Sequence, residues 1–391
     1  MPVINSIADN ATAIAELRRD LHMHPEIMFE THRTSALVAE KLREFGCDEV
    51  VTGLGRTGVV GVIRGRETGS GRVIGMRADL DALPIVEETG LKHASKTPGA
   101  MHACGHDGHT SMLLAAAEYL CATRNFDGTA IVIFQPAEEG GGGGREMVED
   151  GLMERFGIQE VYGMHNMPGL PVGSFATREG SIMAASDDFT IHVRGKGGHG
   201  ALPHLCVDTT LIASHIIIAL QSVVSRNTDP MQCAVVSVTN ISTDSTATNV
   251  IAENVEMSGT ARSHDPEVKK MLEKRIVEIA KTTAAAFGAE ATVEYRHGYP
   301  ATVNTPDQTR FAVDVASEIS GAANVEPNFP AGMGSEDFSF MLNERPGTMI
   351  FIGNGDSAAW HHPKFDFNDN AIPYGASYWS RLIERSMPAG S

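Results

Sequence analysis

The sequence is short of basic residues, cysteine and long apolar runs, and each shortage excludes something. Lysine and arginine number 31 against 49 aspartates and glutamates, for a formal net charge of −18. A surface that acidic disfavours nucleic acid and anionic membrane, so neither is an expected partner. A small anionic substrate stays open, because a local site can invert the global sign. The 5 cysteines, Cys47, Cys104, Cys121, Cys206 and Cys233, are odd in number and widely spaced. That excludes a disulfide framework and fits a reducing cytoplasm. The N-terminal stretch has no basic region leading into an apolar one, so no secretory signal is expected. The most apolar helix, around residues 216–220, reads as far too short to span a bilayer. The glycine run 140–144 is not followed by Gly-Lys-Ser/Thr and is no phosphate loop. No internal repeat is visible.

What the sequence does hold is concentrated in residues 101–109, Met-His-Ala-Cys-Gly-His-Asp-Gly-His. His102, Cys104, His106, Asp107 and His109 crowd this one stretch. Thiolate and neutral imidazole are the ligands that borderline-soft divalent metals prefer. Gly105 and Gly108 let the backbone fold tightly enough to aim several of these groups at one point. The alanine- and leucine-rich run 110–119 predicts a helix, which would give the ligand loop a rigid mounting. A turn with core histidines is the simpler alternative. Cys-Gly-His with a further Asp and His argues against it.

The chain has 391 residues, 42% apolar and 20% charged, enough for two domains, or three at most, with real cores. Amphipathic patterning predicts helices at 11–22 and 34–45, the second ending at Gly46. Short β-branched runs at 59–64, 73–76, 129–134 and 160–164 predict strands, with a short helix near 145–150. This alternation implies an α/β domain with a mainly parallel sheet. Ligands of such sheets bind beyond the carboxyl ends of the strands. Asp79 and Asp81 follow one strand, Glu138 and Glu139 another, and His165 a third. All should reach the edge that carries Cys104 and His106. From about residue 184 the order becomes strand 189–194, helix 208–226, strands 233–238 and 254–262, helix 266–287 and strand 291–295. That βαββαβ order is the ferredoxin-like pattern of a small α+β domain, inserted over 184–298. The first domain resumes at 299 and ends in a helix near 377–387.

Several motifs allow two readings. The adjacent carboxylates of Gln135-Pro-Ala-Glu-Glu-Gly140 could divide labour, one on a metal and one taking a proton from its water. Alone they could equally be an acidic loop before a flexible glycine run. Asp79 and Asp81, two apart in extended chain, could orient ligand histidines or cap the next turn. His165 in Gly-Met-His-Asn, and either ring of Trp360-His-His-Pro363, could ligate a metal or simply hydrogen-bond. His199 sits in the glycine-rich stretch 195–204, where turn chemistry explains the glycines as well.

The motifs at 21–26, 76–84, 101–110, 134–140, 163–168, 195–203, 334–338 and 361–369 together resemble one family. This is the dinuclear-metal amidohydrolases of the aminoacylase and carboxypeptidase group. The nearest branch is hippurate hydrolase with the plant auxin–amino-acid conjugate hydrolases. The resemblance covers nearly the whole chain. Met-His-Ala-Cys-Gly-His-Asp-Gly-His-Thr followed by Gln-Pro-Ala-Glu-Glu-Gly is specific to that branch. It implies a three-layer αβα catalytic domain over 1–183 and 299–391, with residues 184–298 as a lid and dimerisation domain. It implies two divalent ions, on Cys104, His106, Glu139, His165 and His361, with Cys104 bridging. Glu138 would be the general base, with Asp81 supporting the metals. His199 would stabilise the oxyanion, across a dimer. Asn249 and Arg262, with the Gly334–Ser335 backbone, would hold the substrate carboxylate. The chain departs from the family at Met28, where relatives have something small, at Ala252 in place of proline, and at Trp360 in place of leucine.

The resulting expectation is metal-dependent hydrolysis of N-acyl amino acids, hippurate-like or N-acetylated, by a cytoplasmic homodimer or dimer of dimers. Thiolate, imidazole and carboxylate together suit zinc, manganese, cobalt or nickel. The competing expectations are a dipeptidase or carboxypeptidase of the same group, a non-catalytic binder of amino-acid conjugates, and a thiol enzyme with Cys104 as nucleophile.

Overall fold

The structure is a computed structural model that describes residues 3–390. The chain divides into two compact units, one of Met1–Ile182, Thr302–Ala331 and Asp337–Ser391, the other of Met183–Ala301 and Gly332–Glu336.

The first unit is built on an eight-stranded sheet. Its order is Glu49–Leu54, Gly58–Arg64, Thr129–Gln135, Val73–Asp79, Glu160–Pro168, Gly347–Gly355, Phe175–Ala176 and Val325–Glu326. The four central strands, from Thr129–Gln135 to Gly347–Gly355, run parallel. They are apolar nearly throughout because both faces are covered. On one face Ile74, Met76, Ala130, Val132 and Phe134 pack with Met112–Ala117 of helix His106–Thr123 and with helices Ala11–Met23, His32–Phe45 and Ile372–Ser386. On the other, a Cβ built at Gly75 would meet Ile158 and one at Gly163 would meet Phe338, so that face is closed as well. The result is a three-layer αβα unit.

The second unit carries a four-stranded antiparallel sheet in the order Ala234–Thr243, Asn254–Ser263, Ala185–Arg194, Glu290–His297. Phe189, Ile191 and Val193 face a core made with helices Thr209–Ser222 and Pro266–Ala286, while Asp188 and Arg194 point outward. Asp208 and Asp265 cap the two helices through backbone N–H groups of Thr210, Leu211, Glu267 and Val268. The connectivity is ferredoxin-like. Residues 332–336 also belong here, through a bridge between Met183 and Gly332 and a bond from the Ala184 N–H to the Gly334 carbonyl at 2.8 Å.

Three local expectations are corrected. The helix expected at 110–119 begins at His106 and runs to Thr123. His165 lies inside the strand Glu160–Pro168 and does not follow it. The apolar helix expected at 208–226 is α-helical over Thr209–Ser222 and then winds as a π turn over Val223–Asn227. Together, Thr209–Asn227 make a 19-residue run, long and apolar enough to cross a membrane by length and composition. The expectation that this helix is far too short for that does not hold. Ile212, Ala213, Ile216 and Leu220 are buried in the second unit's own core, which accounts for the hydropathy.

Candidate metal centre

Five stretches of the first unit bring the predicted groups together. The first is the turn into helix His106–Thr123. Gly105 caps that helix at φ +88, and a Cβ there would fall 2.4 Å from Asn166 Nδ2. A Cβ at Gly108 would enter the Phe367 ring at 2.3 Å. Both glycines are therefore required by close approach, and they place Cys104 just before the helix and His106 at its first turn.

The second stretch is the end of strand Val73–Asp79. Asp79 is fully buried and accepts from Arg77 at 2.8 Å and from His109 Nδ1 at 2.6 Å. Burial works against its charge, yet His106, His109 and Arg77 hold its carboxyl well below the usual range. Two residues on, Asp81 does different work. Its carboxylate accepts the consecutive backbone N–H groups of Glu138 and Glu139 at 2.9 and 3.1 Å. Its carbonyl accepts from His106 Nδ1 at 2.8 Å, which leaves His106 Nε2 as the free lone pair.

The third stretch follows strand Thr129–Gln135. Ala137 takes φ +54, which turns the chain so that Glu138 and Glu139 follow side by side. Asp337 pins both flanks of this loop, accepting from Gln135 Nε2 at 2.7 Å and the Gly144 N–H at 2.8 Å. The fourth, strand Glu160–Pro168, brings His165, and the fifth, the loop after Gly347–Gly355, brings His361. His165 Nδ1 donates to the Asn166 carbonyl at 2.7 Å, so Nε2 faces Cys104 Sγ, 3.4 Å away. His361, at φ +62, sets Nε2 3.3 Å from Glu139 Oε1.

The donor set fits divalent cations. Cys104, His106 and His165 present ligand atoms within 4.8 Å of one another, as do Cys104, Glu139 and His361, and His106, Glu138 and Glu139. His106 Nε2 and Glu139 Oε1 are buried with no hydrogen-bond partner, as expected of atoms shaped to hold an ion. Burial and then Glu139 and Glu138 push the Cys104 thiol well up, whereas burial beside His109 keeps His165 neutral. His362 does not join the group; its Nδ1 accepts the Lys364 N–H at 3.1 Å and the ring is exposed.

Sequence reasoning passed over Asn166 and the partners of His109. Asn166 Nδ2 donates to the Cys104 carbonyl at 2.5 Å, its backbone N–H donates to His109 Nε2 at 2.9 Å, and its Oδ1 accepts from Trp360 Nε1 at 3.2 Å. It stands next to His165, and that adjacency was the available signal. Trp360 also meets the His165 ring edge-on, centroids 5.0 Å apart. Met28 stands at φ +56, a backbone shape that suits a small residue better.

The remaining predicted residues lie in the second unit. Strand Gly198–His199 pairs His199 with Val250, which brings His199 beside Asn249. Both are exposed. His199 Nδ1 accepts the Ala201 N–H at 3.1 Å, so its proton belongs on Nε2. Arg262 is half-buried on strand Asn254–Ser263 and donates to Thr260 Oγ1 and to the Ala261 carbonyl. Gly334 is exposed and Ser335 half-buried.

A parallel three-layer unit with a thiol–imidazole–carboxylate cluster at its strand ends, joined to a ferredoxin-like unit, defines a metallohydrolase class. The sequence profile of peptidase family M20/M25/M40 matches residues 75–385, and the chain belongs to that family. It is 41% identical to hippurate hydrolase of Campylobacter jejuni over 98% of either chain. It is 38% identical to N-acetylcysteine deacetylase of Bacillus subtilis over 96% of this chain and 98% of that one. Among solved structures it is similar to the Bacillus subtilis YXEP protein, a dinuclear metal binding peptidase of the M20 family. There the TM-score is 0.84 at 34% identity, over 97% of this chain and 99% of that one.

Proposed function

We propose that this chain hydrolyses the amide bond of N-acyl amino acids, releasing a carboxylic acid and a free amino acid. The observation that carries the reading is that Cys104, His106, Glu138, Glu139, His165 and His361 form three overlapping clusters of ligand atoms that share Cys104, His106 and Glu139. Hippurate and N-acetylcysteine, named for two relatives, share an acyl group on an amino-acid nitrogen and a free carboxylate. In this reading Cys104, His106, Glu139, His165 and His361 would hold two divalent ions. Zinc, manganese, cobalt and nickel all suit those donors. When bound, such ions acidify a water and polarise the scissile carbonyl.

The chain's own residues do the rest. Glu138 accepts the proton of the attacking water and returns it to the leaving amine. Asp81 holds Glu138 and Glu139 in register through the two N–H groups it accepts. His199, with its proton on Nε2, donates to the tetrahedral oxyanion. Arg262 and Asn249, with the Gly334–Ser335 backbone, bind the substrate carboxylate and so fix the scissile bond. His199 serves the site of a neighbouring subunit in a homodimer or dimer of dimers, and the protein works in the cytoplasm. Support for assembly is the outward side of helix Thr209–Ser222, where Leu211 is 50% and Ile218 69% exposed.

The thiol-enzyme reading draws on the Cys104–His165 contact. Electrostatics disfavours it: burial, and then Glu139 and Glu138, raise the Cys104 pKa, the opposite of what a nucleophilic cysteine needs. A substrate panel tests the proposal: benzoylglycine, N-acetyl amino acids, their amides and glycylglycine, assayed after chelation and after reloading with each metal. Turnover of the acyl amino acids should vanish and return with metal. Preference for glycylglycine would instead make it a dipeptidase. Tight binding of acyl amino acids without turnover would make it a binding protein.

A further inference from the structure

Away from the metal centre, two cysteines with no role in the chemistry meet face to face. Cys47 Sγ and Cys121 Sγ are 3.6 Å apart, and both are free thiols. Their backbones are fixed independently. Cys47 ends helix His32–Phe45 just past the left-handed Gly46, and its N–H donates to the Leu42 carbonyl at 3.0 Å. Cys121 lies in the last turn of helix His106–Thr123. Arg124 clamps the two segments together, donating to the Gly46 carbonyl at 2.8 Å and to Asp48 Oδ2 at 2.7 Å, on either side of Cys47. To bond, the sulfurs must close from 3.6 Å to about 2.05 Å.

We propose that Cys47 and Cys121 are a redox modification site, forming a reversible intrachain disulfide when the protein meets hydrogen peroxide. Cys121 is buried and Cys47 only half-buried, so a water-sized oxidant entering beside Cys47 is the class that fits. Either sulfur can donate to the other, and Arg124, bonded on both sides of Cys47, favours a thiolate in the pair. That thiolate attacks one peroxide oxygen, the O–O bond breaks and hydroxide leaves, giving a sulfenic acid. The other cysteine's sulfur then attacks the oxidised sulfur, the S–O bond breaks and its oxygen departs as water. In sum, two thiols and one peroxide give one disulfide and two waters. The bond would join the far ends of two core helices. The last turn at Cys121 lies roughly 20 Å along the helix axis from His106, at 1.5 Å per residue, so the bond acts on resistance to unfolding and not on the metal centre.

The test uses the full-length, metal-loaded protein carrying Cys206→Ser and Cys233→Ser, which leaves Cys47, Cys104 and Cys121. After peroxide, the thiols counted in denaturant should fall by two per chain. Peptide mapping should join the segments holding residues 47 and 121, and dithiothreitol should undo the link. The oxidised form should also melt higher than the reduced form. Adding Cys47→Ser, or Cys121→Ser in its place, should abolish the link and the shift. An unchanged thiol count, a link that includes Cys104, or oxidised and reduced forms that melt together would overturn the proposal.

Discussion

At the scale of single residues, the proposed centre is set by which nitrogen of each ring is already taken. His106 spends Nδ1 on the Asp81 carbonyl and His165 spends Nδ1 on the Asn166 carbonyl, so both offer Nε2 to the same space. His361 reaches Glu139 while its neighbour His362 caps a turn. His361→Ala should therefore lose bound metal, by elemental analysis after dialysis, where His362→Ala keeps it; the reverse order would reassign the ligand. The sequence left these two rings undecided because His-His-Pro has no periodicity to say which points inward. The left-handed turn at His361 decides it, and that turn depends on the distant segments packed around it. Asp79 and Asp81 show the same limit. They were legible as a pair on one face. Their separate tasks, one on His109 and one on the Glu138–Glu139 backbone, emerge only once remote strands are in place.

At the scale of elements, helix His106–Thr123 is tied to its neighbours by a buried charge network. Arg18, fully buried in helix Ala11–Met23, binds Asp107, Asp366 and Asp369 at 3.2, 3.0 and 2.8 Å. His22, one turn on, places Nδ1 2.8 Å from Asp107 Oδ2 and Nε2 3.5 Å from Glu87 Oε1. Burial disfavours a charge on His22, but Asp107 and Glu87 prevail and raise its pKa from 6.5 to about 9. A raised folded-state pKa stabilises fully below the unfolded value and is lost as pH rises through the folded one. Metal-saturated wild-type protein should thus lose stability between pH 6.5 and about 9. At 1.36 kcal/mol per pH unit the loss is on the order of 3 kcal/mol. His22→Gln should remove that slope, which denaturant unfolding at several pH values would show; a parallel slope in both proteins would assign it to other groups. None of this network was read from the sequence, since its members lie up to 351 positions apart. Strand cores such as Thr129–Gln135 were readable from their β-branched runs. The start of helix His106–Thr123 was not, because a left-handed glycine cap with no side-chain acceptor leaves no ordinary N-terminal signal.

At the scale of the whole molecule, the βαββαβ order of the second unit was legible because each element is locally amphipathic. Its Gly332–Glu336 segment was not, because it returns from far along the chain. The apolar residues of helix Thr209–Ser222 leave only a small outward surface for assembly. Ile216 and Leu220 belong to the core, leaving Leu211 and Ile218 outward. Assembly is best tested by mixing His199→Ala with Glu138→Gln under conditions that exchange subunits. If the histidine works in trans, one site of each mixed dimer is intact and activity returns; mixed dimers that stay inactive would confine each His199 to its own subunit. The most direct test of the account as a whole is to measure bound metal and benzoylglycine turnover together in Glu138→Gln. The account predicts two ions per chain, unchanged substrate binding and a loss of ~10²–10⁴-fold in kcat, the usual worth of a general base. Near-normal turnover at full metal loading would contradict it.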